Sequence, residues 1–146
     1  MKIEFIGDTP KEIDFAKFND HTKIINDFLV KQNALPSSRS NETVFIIFKN
    51  ANEVQKINFE FRGKNKPTDI LSFEAIEENS LGELLFCNEV LIEQAKKHNH
   101  STYEEFLYLF IHGTLHLLGF DHEINESDAQ EMFKIQDQLF ELLVQK

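Results

Sequence analysis

His112, His116 and His122 are the residues whose type and spacing offer chemistry. His112 and His116 are four apart, so on a helix their imidazoles stack one turn apart on one face and both can reach a single ion. Gly119 can then take a left-handed conformation that turns the chain back, and His122, three residues further on, is near enough to give a third nitrogen. Three histidines leave a tetrahedral ion one open position, the mark of a catalytic rather than a structural site. Cys87 is the single cysteine, which excludes an internal disulfide and a thiolate-rich metal site. It sits in an apolar stretch and reads as a buried thiol rather than a fourth ligand. One Zn²⁺ per chain is the expected cofactor, favoured over nickel or copper by ligand type and availability.

The string HGTLHLLGFDH has the HxxxHxxGxxH spacing of metzincin proteases, in which a Glu after the first His is the general base. Here that position is Gly113, which has no side chain to accept a proton. A zinc ion can still lower the pKa of a coordinated water to about 7 without a carboxylate partner. The spacing therefore supports a hydrolytic metal site and argues against a protease. Asp121 either orients a histidine or caps the turn.

The elements that must position these residues alternate in type. Strands are expected over MKIEFIG at the start, Glu42 to Asn50, Thr68 to Ala75 and Gly82 to Cys87, from their β-branched and aromatic runs. Apolar spacing predicts helices over Ile13 to Gln32, Ala51 to Phe61 and Asn88 to His98. Ser101 and Glu104 form a capping box that opens a helix over Tyr103 to Leu118, stopped by Gly119. Ser127 and Gln130 open a last helix in the same way, running to about Val144. The fold class is α+β: one domain over residues 1–146, a roughly four-stranded mixed sheet packed with about five helices. The metal site falls on a helix of the C-terminal half and the turn after it.

A hydrophobic content of 41% with 15 Phe and 3 Pro excludes a disordered chain. No signal-peptide stretch and no run approaching the roughly 20 apolar residues of a membrane span is present, so a cytoplasmic protein with no membrane partner is expected. The net charge of −10 counts against nucleic-acid binding at long range. Its distribution softens that objection, because Lys56, Arg62, Lys64 and Lys66 cluster with only Glu60 among them.

HGTLHLLGFDH, taken with RGKNKPTDILSFE (Arg62 to Glu74) and LGEL (Leu81 to Leu84), resembles the YbeY family of bacterial rRNA-maturation endoribonucleases. The motifs come in the family's order over about Asn58 to His122. Asn65 and Glu74 stand where Asp and Pro are expected, Phe120 where Tyr is frequent and Glu83 where Asp is frequent. These departures bear on the shape of the substrate groove. The resemblance implies a metal-dependent, single-strand-specific endoribonuclease acting in 3′-end maturation of small-subunit (16S) rRNA and in ribosome quality control. It implies His112, His116 and His122 as the metal ligands and Arg62 as the functionally important arginine. The partners it implies are single-stranded pre-rRNA and the small ribosomal subunit with its proteins, with no DNA expected.

The residues agree with that implication. Arg62 carries a planar fork that can hold a phosphate bidentately, and it is expected to share catalysis with the ligand His116. Lys64 and Lys66 suit backbone phosphates. Phe59 and Phe61 are expected in the core, with base stacking as the alternative. Glu60, Asp69, Glu83 and Asp121 are the candidate bases, none assignable. Two other readings compete: a ribosome-assembly factor in which zinc only stabilises the fold, and a metallohydrolase of another substrate class.

Overall fold

The computed structural model describes residues 1–121 and 125–144. Its elements are β1 (Lys2–Ile6), α1 (Phe15–Lys31), β2 (Thr43–Lys49), α2 (Ala51–Arg62), β3 (Ile70–Glu74), β4 (Ser80–Cys87), α3 (Asn88–His98), α4 (Thr102–Leu117) and α5 (Glu126–Val144). One 3₁₀ turn, Ser37–Arg39, lies between α1 and β2.

The four strands form one sheet in the order β1-β2-β4-β3. The helical crossover α1 makes β1–β2 parallel; α2 carries the chain from β2 to the edge strand β3, and the short link from Glu74 to Ser80 returns it as β4, antiparallel to β3 and parallel to β2. The expected α+β class with a mixed four-stranded sheet and five α-helices is the observed one.

The larger core packs Phe18, Ile25 and Leu29 of α1, Phe106, Phe110 and Leu115 of α4, and Met132 and Leu139 of α5 against Val44, Ile46, Leu84 and Phe86 of the sheet. A smaller cluster joins Val54 of α2 to Leu71, Leu85 and Cys87. Cys87 is therefore a buried thiol, as expected, and burial pushes its pKa up. Only Val54 and Asn58 of α2 are buried, because they form the i, i+4 stripe that meets the sheet. Phe59 and Phe61 fall off that stripe and are 57% and 64% exposed, which overturns their expected place in the core.

Caps set the helix ends. Ser101 Oγ accepts from the Glu104 N–H at 3.1 Å and Glu104 Oε1 accepts from the Ser101 N–H at 3.0 Å, the reciprocal box expected from sequence. The expected cap of α5 by Ser127 and Gln130 is not formed. Instead Asn125 Oδ1 accepts from the Asp128 N–H at 2.8 Å, because the helix begins earlier, at Glu126.

Candidate active site

α4 carries His112 and His116, two of the three expected ligands, and its packing on the sheet fixes where they sit. Gly113 makes that packing possible. A Cβ there would lie 2.7 Å from Leu84 Cδ2 and 2.8 Å from Ile70 Cδ1, so a side chain at this position would force those side-chain ends of β3 and β4 to move. The position that lacks the metzincin glutamate thus lies at a close approach of helix to sheet.

With that face of α4 on the sheet, His112 and His116 sit half-buried on the neighbouring face. Their Nε2 atoms are 3.1 Å apart. Two nitrogens bound to one tetrahedral ion at 2.0–2.1 Å stand about 3.3 Å apart, so the pair fits a shared ion with little movement. Gln136 of α5, 1% exposed, completes the arrangement: its Oε1 accepts from His112 Nδ1–H at 3.0 Å. That bond places the His112 proton on Nδ1 and presents the Nε2 lone pair to an ion. Phe133, one turn earlier on α5, stacks against the His112 ring at 6.3 Å between centroids. Neither α5 residue was singled out from sequence. The available signal was a glutamine on the buried stripe of an amphipathic helix.

The turn after α4 closes as a Schellman motif, with Phe120 N–H on Leu115 C=O and Gly119 N–H on His116 C=O, both at 3.0 Å. Gly119 takes φ +100° there, the left-handed turn expected of it. This brings Phe120 and Asp121 back beside His116. His122, the expected third ligand, lies outside the described residues.

The opposite wall comes from α2 and the loop after it. Arg62 is the last residue of α2, and Gly63 at φ +70° ends the helix. Two α2 side chains tie down the basic loop: Asn58 Nδ2 donates to Lys66 C=O at 2.8 Å, and Gln55 Nε2 to Asn65 Oδ1 at 3.0 Å. A cleft of about 540 Å³ results, lined by Arg62, Lys64, Asp69, Ser72, His112, His116 and Asp121 among others. An adjoining cleft of about 350 Å³ shares Arg62, Ser72, His116 and Asp121 and extends past Glu74 and Phe120.

The cleft therefore brings together Arg62, Lys64, His112 and His116 from distant stretches of chain. It sorts the candidate bases as well. Asp69 and Asp121 line it, whereas Glu60 and Glu83 do not. Asp69 is engaged at the start of β3, where Oδ1 accepts from the Ile70 N–H at 2.7 Å and the Thr68 hydroxyl at 3.2 Å. Two imidazoles with neighbouring Nε2 atoms in an open cleft that a guanidinium also lines can hold a metal ion and an anionic ester together.

Comparison with known proteins gives the same direction. The family model described as Endoribonuclease YbeY matches residues 6–144. The Endoribonuclease YbeY of Bdellovibrio bacteriovorus is 46% identical over 118 residues, covering 81% of this chain and 79% of that one. The Endoribonuclease YbeY of Petrotoga mobilis is 36% identical over 148 residues, covering 99% and 96%. The solution structure of a Thermotoga maritima protein superposes with TM-score 0.66 at 28% identity, covering 97% of this chain and 88% of that one.

Proposed function

Because this chain belongs to the YbeY endoribonuclease family, we propose that it is a zinc-dependent hydrolase of single-stranded RNA that matures the 3′ end of small-subunit rRNA and serves ribosome quality control. The observation that carries this reading is the pair of His112 and His116 Nε2 atoms 3.1 Å apart in a cleft that Arg62 and Lys64 also line.

In this reading His112, His116 and His122 hold one zinc ion, and residues 1–146 act as a single catalytic domain. The ion supplies Lewis-acid polarisation of a phosphoryl oxygen and acidification of water. Gln136 keeps His112 in the tautomer that offers Nε2. Arg62 clamps the scissile phosphate through two parallel N–H bonds and stabilises the charge that builds as the phosphorus becomes five-coordinate. Lys64 and Lys66 track neighbouring phosphates, which positions a strand without reading its sequence. Phe61, exposed next to Arg62 on α2, offers a face on which a base can stack.

The chain's excess of acid is unfavourable for free RNA, so the small ribosomal subunit and its proteins are proposed to present the strand. No helix among the described residues is long and apolar enough to cross a membrane, in keeping with a proposed cytoplasmic setting. A glutamate in place of Gly113 would first have to displace the side-chain ends of Leu84 and Ile70.

The deciding experiment is cleavage of a small-subunit rRNA 3′-end precursor by zinc-loaded protein, alongside His116→Ala and chelator-treated protein. Cuts in single-stranded regions that both controls abolish are expected. Equal cutting by all three, or none even with ribosomal subunits added, would refute the nuclease reading.

A further inference from the structure

A second group of metal-ligating side chains lies at the other end of α4. His98 is the last residue of α3, His100 is in the link, and Glu105 lies in the first turn of α4. One ring nitrogen of each histidine and one carboxylate oxygen of Glu105 all fall within 4.8 Å of one another. The group is seven residues from His112 on the same helix, which at 1.5 Å per residue is about 10 Å along the axis.

Two features of this group are unexplained by protein contacts alone. Glu105 is 2% exposed, and His98 Nδ1, at 2.6 and 3.1 Å from its two oxygens, is its single salt-bridge partner among the described residues. His100 Nδ1 is buried with no hydrogen-bond partner, its ring packed 5.6 Å from that of Phe140. A buried carboxylate needs a compensating cation, and a buried unpaired nitrogen costs free energy. The contact between His98 and Glu105 leaves the second need unmet. One divalent ion meets both.

We propose that His98, His100 and Glu105 form a second metal site, taking a zinc-like divalent transition ion. Two imidazoles and one carboxylate select such an ion over magnesium or calcium, which prefer all-oxygen shells. The C-terminal end of α3, capped by Asn99 at φ +57°, favours a cation here, whereas the N-terminal end of α4 acts the other way and leaves the Glu105 carboxylate to supply the attraction. Tetrahedral ligands at 2.0–2.1 Å stand about 3.3 Å apart, so the three donors need to shift by an ångström or so. The His98 side chain is 56% exposed, which leaves the fourth position to water. An ion here pins the end of α3 to the start of α4 and is independent of the proposed nuclease chemistry.

The test is zinc chloride titrated calorimetrically into chelator-stripped full-length protein, with circular dichroism to establish folding. The wild type is expected to take two equivalents and His98→Gln/His100→Gln one fewer. His112→Ala/His116→Ala is expected to keep the equivalent that His98→Gln/His100→Gln lacks. The proposal is overturned if folded His98→Gln/His100→Gln, or His98→Gln alone should the pair not fold, binds as many equivalents as the wild type at unchanged affinity. A wild type with one equivalent that this variant loses would support the second site and count against the first.

Discussion

Gln136 and His112, on two different helices, are joined by a 3.0 Å hydrogen bond that sets which nitrogen of the imidazole faces the cleft. Replacing Gln136 by Leu keeps the volume of a buried side chain and removes that bond. Outer partners of metal-binding histidines are worth about 10–100-fold in affinity. Zinc binding at the His112 and His116 centre is therefore expected to weaken by about that factor in Gln136→Leu, read by competition with a chromogenic chelator. Unchanged affinity would mean that the ring is oriented by something else.

Gly82 and Gly113 separate two kinds of tight contact. A Cβ on Gly82 would lie 2.3 Å from the backbone oxygen of Phe73, and the residue stands at φ +139°. A Cβ on Gly113 would meet side-chain ends that can move. Gly113→Ala is expected to cost about 1 kcal/mol, overpacking being partly offset by helix propensity, and Gly82→Ala about 3 kcal/mol or more. Urea unfolding of the two variants checks the order.

Arg62→Lys keeps the charge and loses the fork. If the guanidinium clamps a phosphate through two bonds, the lysine variant should fall nearly as far as Arg62→Ala, by about 10²–10³-fold in kcat. Zinc affinity should stay unchanged in both. Near-wild-type turnover in Arg62→Lys would reduce the role to a point charge.

Phe61→Ala and Lys64→Ala should weaken RNA binding in different ways. Loss of a stacking face costs about 1–3 kcal/mol per base and leaves the salt dependence alone. Loss of a phosphate contact on a single strand lowers the slope of log affinity against log salt by about 0.7. Phe61 touches Phe73 edge-on at 5.3 Å but is itself exposed, so the melting temperature should move little. Binding isotherms at several salt concentrations distinguish the two.

His21 is held below its ordinary pKa of 6.5, first by burial and then by Lys17, with Asp20 acting the other way. Its Nδ1 is 2.8 Å from the Tyr103 hydroxyl. A base whose native pKa is depressed takes up its proton more readily when unfolded, so stability is full above 6.5 and falls as the pH drops from there to the native value. His21→Gln retains a partner for Tyr103 and should flatten that part of a plot of Tm against pH.

The regular elements and the closeness of His112 to His116 were legible because their signals are local: period, cap and turn residues act within a few positions. The capping box at Ser101 and the turn at Gly119 are cases of this. Gln136 was not legible, since its partner is 24 residues away on another helix and nothing in a single stretch marks the pairing. Phe59 and Phe61 misled for the converse reason. Their apolarity suggested burial, but on a helix with a narrow buried stripe an angular offset of one position decides. The family motifs ran from about Asn58 to His122, whereas the family model extends over residues 6–144. In the outer parts the likeness is spread along the sequence, as in the 36% identity over 99% of this chain with the Petrotoga mobilis relative, rather than concentrated in short strings.

The close approach at Gly113 has a consequence for how this site can change over generations. Swapping one residue for glutamate at that position would look, on paper, like a short step to a peptidase. Here the step meets Leu84 and Ile70 at once, and Ser72 at 3.3 Å behind them. Those side-chain ends would have to turn aside before the carboxylate could be seated. A glutamate at this position would therefore carry a packing cost from its first side-chain atom, ahead of any catalytic gain.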